Sequence, residues 1–166
     1  MTTVTLGRTG IVTGKNAFGA IPIQRISAEE AVRLLHRALD GGITFFDSAR
    51  AYHDSEDKLG LAFADRRDRI YLATKSTAGT PDALRRDLET SLRLLRTDHI
   101  DLYQFHNPAQ CYLPGDGTGM FETMQAFQRE GKIRFIGMTN HRHAVAHAAI
   151  DSDLYDTLQF PFSYLY

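Results

Sequence analysis

In the apolar run "ITFFDSA", residues 43–49, Asp47 follows Ile43 and Phe45 at period two. In "IYLATKS", residues 70–76, Lys75 follows Tyr71 and Ala73 in the same way. In "IDLYQFHN", residues 100–107, His106 follows Leu102 and Gln104. Each titratable group closes an apolar run, on the face set by its alternating neighbours. Tyr52 lies five residues after Asp47, near enough to lean over the same place. A buried lysine beside an aspartate keeps its charge. A cation beside a phenol favours the phenolate, which lowers the phenol's pKa and makes it a better proton donor near neutral pH. His106 is placed to donate a hydrogen bond to the same substrate oxygen. Such a set protonates a carbonyl oxygen while another reagent attacks the carbon. No side chain carries a hydride, so a nicotinamide cofactor has to supply it. Taken singly, each residue also has a plain reading: a turn cap, a snorkelling lysine or a hydrogen-bonded core histidine. Their recurrence at equivalent positions favours chemistry.

Those positions depend on the elements around them. "VTLGRTGIVTG" reads as a hairpin about the turn Gly7 to Gly10. Strand and helix patterns then alternate. Strands are expected at 15–23, 43–49, 70–76, 99–107, 133–140 and 157–166, and helices at 27–42, 55–67, 80–96, 120–132 and 143–155. Ser27 and Glu30 are spaced for a capping box, with Gly41 as a stop. Thr80 caps a helix with Pro81 in its first turn and Leu84, Leu88, Leu92 and Leu95 on one face. Six strands alternating with five helices imply parallel pairing and right-handed crossovers. The strands are near-continuous apolar runs, as expected when both faces are covered. This leaves an open doubly wound sheet or part of a (β/α)8 barrel. No G-x-G-x-x-G follows the first strand and no G-x-x-x-x-G-K-[ST] occurs, which disfavours the open sheet. In either architecture the C-terminal strand ends carry the active site, where Asp47, Lys75 and His106 lie.

The 166 residues suffice for one domain, read as 1–166. A net charge of −1 argues against a nucleic-acid or anionic-membrane partner. No apolar run approaches a membrane span, and the N-terminus lacks the basic and apolar regions of a signal peptide. The single cysteine, Cys111, permits no intrachain disulfide, and a cytoplasmic location is expected.

The motifs "GITFFDSARAY", "LATKS", "SLRLLRTDHIDLYQFHNP", "GKIRFIGMTN" and "LQFPFSYL" together resemble the aldo-keto reductases over nearly the whole chain. Each motif is weak alone; in this order they are specific. The resemblance implies a (β/α)8 barrel that uses NADPH to reduce aldehydes or ketones. It puts the family's catalytic tetrad on Asp47, Tyr52, Lys75 and His106, with Tyr52 as general acid. It puts cofactor contacts on Asp47, Asn140 and Gln159, the last two taking the carboxamide. The family's glycine after the loop tyrosine is His53 here. The sequence also resembles a bacterial branch in which some members carry an iron–sulfur tail, but one cysteine cannot ligate a cluster. Such barrels usually run to ~250 residues, with phosphate bound by the loops after strands seven and eight. The expectation is therefore an incomplete barrel of six strands, weakly active or inactive alone and prone to self-association at its open edges. The alternative is a non-enzymatic half-barrel or binding subunit completed by a partner chain.

Other constellations are weaker. His141, His143 and His147 cluster in "HRHAVAH", but no acidic or further ligand accompanies them, so no metal is expected. Cys111 lies near His106 without a third orienting group. Arg85, Arg86, Arg93 and Arg96 interleave with acids and read as a salt-bridged helix face. Lys75 as a Schiff-base nucleophile is the runner-up chemistry, and it leaves Asp47 and Tyr52 without a role.

Overall fold

The Ser27–Glu30 spacing makes the expected capping box. Ser27 Oγ accepts from the Glu30 N–H, and the Glu30 carboxylate accepts from the Ser27 N–H. It starts α1 (Ala28–Asp40), whose Ala31, Leu35 and Leu39 are buried at helical spacing. Thr80 caps α3 (Pro81–Leu95) through the Ala83 N–H, and Leu84, Leu88, Leu92 and Leu95 face inward. The remaining helices are α2 (Ser55–Phe63), α4 (Met120–Arg129) and α5 (His143–Ser152). The strands are β1 (Thr3–Thr5), β2 (Val12–Gly14), β3 (Phe18–Gly19), β4 (Phe45–Asp47), β5 (Tyr71–Ser76), β6 (Ile100–His106), β7 (Ile133–Thr139) and β8 (Thr157–Gln159). This computed structural model describes residues 2–163.

β1 and β2 form the antiparallel hairpin, with Gly10 at φ 70 in its turn. β3 to β8 pair in chain order, all parallel, as a curled half-barrel with helices outside. Between sheet and helices lies the larger core, including Phe46, Leu72, Tyr103, Phe105 and Ile136. A smaller cluster on the inner face joins Phe45, Ala73 and Leu102 to Ile11 of the hairpin. The hairpin therefore plugs the N-terminal end of the trough. Arg8 fastens it to the chain before β8, donating to Asp153 Oδ1 at 3.0 Å and to the Tyr155 carbonyl at 2.9 Å.

Some boundaries differ from expectation. Of the strand expected at 15–23, only Phe18–Gly19 pairs; Ile21–Arg25 is a 3-10 turn. Pro22 has no N–H for a ladder, and its fixed φ suits the first turn of a helix. The last helix stops at Ser152, because Asp153 turns left-handed at φ 53 and Tyr155 swings into the core to donate to the Tyr112 carbonyl. The strand expected at 157–166 pairs only over Thr157–Gln159, and Pro161 offers no donor to extend it. Residues 164–166 of that expectation lie outside the described residues.

Gly60 sets the spacing of α2 and α3. A methyl there would run into the Leu94 carbonyl and lie 2.9 Å from the Leu95 carbonyl carbon. Backbone cannot yield as a flexible side chain does. Gly60→Ala should therefore destabilise the fold by roughly 1–3 kcal/mol. An unchanged midpoint in urea unfolding would refute this spacing argument.

Candidate active site

The strand register stacks inward side chains in layers. Asp47 pairs with Ala73, Lys75 with Gln104, and His106 with Thr139. The stagger of a curling parallel sheet brings the ends of β4, β5 and β6 to one mouth. Lys75 is 2% exposed, and its Nζ donates to Asp47 Oδ2 and to the Ser48 carbonyl, both at 2.5 Å. Tyr52 leans in from the loop after β4. Its ring meets the His106 ring edge-on, with centroids 5.7 Å apart, and Lys75 Nζ lies 5.2 Å from its centroid. All four expected catalytic side chains thus converge. A cavity of about 260 Å³ opens beside them, lined by Tyr52, Lys75, His106, Asn140, His141 and Gln159 among others.

The electrostatics differ in one respect from the sequence expectation. Burial first, and the Asp47 carboxylate second, push the Tyr52 phenol above its ordinary range. The expected lowering by Lys75 does not occur, because the ammonium points at Asp47 and spends its charge there. Tyr52 is accordingly a protonated donor at neutral pH. Burial also pushes the Asp47 carboxyl up and the Lys75 ammonium down, and each partner's charge offsets part of the other's shift. His106 is lowered to about 4, by burial first and then by Lys75 and His141. It is therefore neutral at pH 7, and its buried Nδ1 has no hydrogen-bond partner among the described residues.

That shift has a consequence for stability. Unfolding returns His106 to its ordinary pKa near 6.5, so below that pH the unfolded chain binds the extra proton. Stability from this group is complete above about pH 6.5 and falls as pH drops toward 4. The residue is partly exposed, so solvent screening reduces the effect to on the order of 1–2 kcal/mol. His106→Gln should flatten that part of the stability-versus-pH curve; an unchanged slope would contradict the buried neutral ring.

Asn140 and Gln159 adjoin each other, the Asn140 N–H donating to the Gln159 carbonyl at 3.1 Å. Asn140 is buried. Its Nδ2 donates to the Pro108 carbonyl at 2.9 Å, and its Oδ1 accepts from the Arg142 N–H at 2.8 Å. One amide hydrogen and one lone pair remain for a ligand. Gln159 is exposed on the cavity wall and hydrogen-bonds toward Asp47. The cavity size and the hydrogen-bonding capacity left on Asn140 and Gln159 fit an amide-bearing aromatic ring.

Sequence reasoning missed Gln104 as a site residue. Its Nε2 donates to Asp47 Oδ1 at 3.2 Å. Gly137 makes room for it, since a methyl there would lie 2.9 Å from Gln104 Cγ and 2.5 Å from Thr157 Oγ1. The available signal was a second polar residue at period two between Leu102 and His106. Of the other constellations only His141 reaches the mouth, where it lines the cavity. Cys111 is half-buried, with a thiol pushed up by burial. His143 packs on Phe160, with ring centroids 5.1 Å apart. Among the described residues no three metal-ligating side chains converge. Arg85 and Arg96 make ion pairs with Glu130 and Asp57. No helix among the described residues is long and apolar enough to cross a membrane.

Residues 10–164 match the model of the aldo/keto reductase family. The uncharacterised oxidoreductase YrpG of Bacillus subtilis strain 168 is 34% identical over 159 residues, covering 81% of this chain and 48% of that protein. An aldo-keto reductase of Bacillus halodurans in its holo form superposes with a TM-score of 0.85 at 25% identity, over 98% of this chain and 58% of its own. One from Klebsiella pneumoniae in complex with NADPH does so with a TM-score of 0.78 at 27% identity, over 92% of this chain and 55% of its own. The chain spans about half the length of the curated relatives it matches. With its half-barrel and these likenesses, the chain belongs to the aldo/keto reductase family.

Proposed function

We propose that this chain carries the proton-donating half of an NADP-dependent reductase of aldehydes or ketones. The observation that carries the reading is the Tyr52 phenol, held protonated between the His106 ring edge and the Lys75–Asp47 pair. NADPH, when bound, supplies the hydride. Asn140 and Gln159 would hold its carboxamide, and Asp47 would be a further cofactor contact. Tyr52 Oη donates its proton to the carbonyl oxygen as negative charge develops there. Neutral His106 donates a hydrogen bond to the same oxygen and sets its direction. Lys75 Nζ lies 5.2 Å from the Tyr52 ring centroid and, paired with Asp47, offsets the negative charge of that carboxylate beside the phenol. Asp47 keeps Lys75 charged despite burial.

Such barrels bind phosphate with the loops after their seventh and eighth parallel strands, and among the described residues the parallel sheet has six strands, β3 to β8. The 166-residue chain by itself should therefore bind NADPH weakly and turn over slowly. NADPH titration followed by fluorescence, with aldehyde-dependent NADPH consumption, tests both points. Submicromolar binding would contradict the weak-binding expectation. No consumption with any of a panel of small aldehydes at saturating cofactor would contradict the reductase reading.

A second reading is a half-barrel completed by self-association. A largely apolar trough of about 360 Å³, lined by Leu6, Phe45, Leu102, Leu158 and Phe160 and continuous with Asp47, Gln104 and Gln159 of the site, favours it. A monodisperse monomer by light scattering would rule it out.

A further inference from the structure

Behind the Tyr52 loop, on the outer side of the sheet, lies a buried polar hub that the proton chemistry does not use. Glu56, in the first turn of α2, is 0% exposed. Its Oε1 accepts from Thr74 Oγ1 at 2.6 Å and from Ser91 Oγ at 2.8 Å, and its Oε2 pairs with the Arg50 guanidinium. A carboxylate wholly out of water is costly unless it is paired and hydrogen-bonded, and here both oxygens are. An apolar side chain of similar volume would fill the space without that demand. The charge is therefore explained by what it fixes.

Its partners adjoin the site residues. Thr74 precedes Lys75 and points to the opposite face of β5. Arg50 stands two residues before Tyr52, and its backbone N–H donates to the Lys75 carbonyl at 2.8 Å. Ser55, the neighbour of Glu56, bonds Ser48 Oγ at 2.9 Å and the Ala20 carbonyl at 3.0 Å, and so steadies the residue after Asp47. His53, next to Tyr52, has φ 43, a left-handed conformation that glycine enters freely and histidine does not. A strained residue persists only where its surroundings over-determine it.

We propose that Glu56 is a positioning residue: by tying Arg50 to Thr74 and Ser91 it fixes the Tyr52 phenol against His106 and above Lys75. It touches neither substrate nor cofactor and acts through Arg50. The inference rests on the reading of Tyr52 as proton donor, but its geometric part can be measured separately.

The test compares Glu56→Gln, Arg50→Gln and the double variant in the 166-residue chain. Glu56→Gln keeps an acceptor for Thr74 and Ser91 and removes the ion pair. Both single variants should lose the proton–proton NOE between the Tyr52 and His106 rings. Each should lower kcat for aldehyde reduction roughly 10- to 100-fold, with KM changed by less than about twofold. The double variant should be no worse than the poorer single, because both break one link. Leu84→Ala, a core variant chosen for a comparable fall in Tm, should keep the NOE and kcat. An intact NOE in both single variants overturns the proposal, as does equal loss in Leu84→Ala. If Glu56→Gln fails to fold, Arg50→Gln carries the test alone, since that guanidinium is partly in solvent. If the native chain reduces no aldehyde, the functional reading fails while the NOE still decides the tether.

Discussion

Tyr52→Phe should reduce aldehyde-dependent NADPH consumption by roughly 10²- to 10⁴-fold, the usual share of a positioned general acid. The variant removes one oxygen and leaves the ring. The edge contact to His106 and the position over Lys75 therefore remain, and the fold should be unaffected. The loss belongs in kcat, because the proton moves only in the transition state. The raised phenol adds a pH signature. Burial and Asp47 hold the proton on Tyr52, so donation should persist well into the alkaline range and fail only above the ordinary tyrosine pKa. Rate measurements on both proteins at several pH values would check this. A Tyr52→Phe rate within threefold of wild type would remove Tyr52 from the mechanism.

The second large effect is expected from Lys75→Met, which strikes stability as well as rate. The native ammonium neutralises Asp47 inside a cleft where both side chains are largely out of water. Without it, Asp47 retains, among the described residues, hydrogen bonds from the Gln104 and Gln159 amides. Leaving one member of a buried pair uncompensated costs about 3–5 kcal/mol at neutral pH. The sign of the pH dependence follows. Burial already raises the Asp47 carboxyl, and loss of Lys75 raises it further. Between the unfolded and folded pKa values the folded variant binds the extra proton. The penalty is therefore complete above the folded pKa, shrinks as pH falls through it, and vanishes below the unfolded value near 3.9. Urea unfolding of wild type and variant across this range measures the difference. Asp47→Asn combined with Lys75→Met should recover most of the loss, since no charge is then left buried. A penalty that does not vary with pH would mean that Lys75 contributes packing rather than charge.

Much of this architecture was legible in the residues. Period two through Phe45–Asp47, Ala73–Lys75 and Gln104–His106 fixes which face carries the polar groups, because a strand has no other way to alternate. The Ser27–Glu30 box and the Thr80–Pro81 start mark helix ends through local hydrogen bonding alone. Less legible was whatever depends on contacts between distant segments. The break of the third strand at Pro22 and the shortness of the last one before Pro161 follow from missing donors, and both prolines were visible. Their effect depends on which side of the strand needs the ladder. The charge balance at the mouth was also hidden. The sequence places a lysine near a phenol, but only the fold turns its Nζ to Asp47 and the Ser48 carbonyl, which reverses the expected shift of Tyr52. Gln104 and Glu56 were obscured for the same reason. Each reads as an ordinary polar residue until the curl of the sheet brings Asp47, Thr74 and Arg50 to it.

The central claim is that the mouth protonates a carbonyl oxygen while its carbon receives hydride from a nicotinamide. The most direct measurement uses NADPH carrying deuterium at the transferring position, a simple aldehyde and the 166-residue chain, with mass spectrometry of the alcohol formed. The account predicts one deuterium on the former carbonyl carbon, and product formation that fails in Tyr52→Phe. An aldehyde recovered unreduced and trapped by borohydride as an adduct on Lys75 would contradict it, and would assign this mouth to imine chemistry instead.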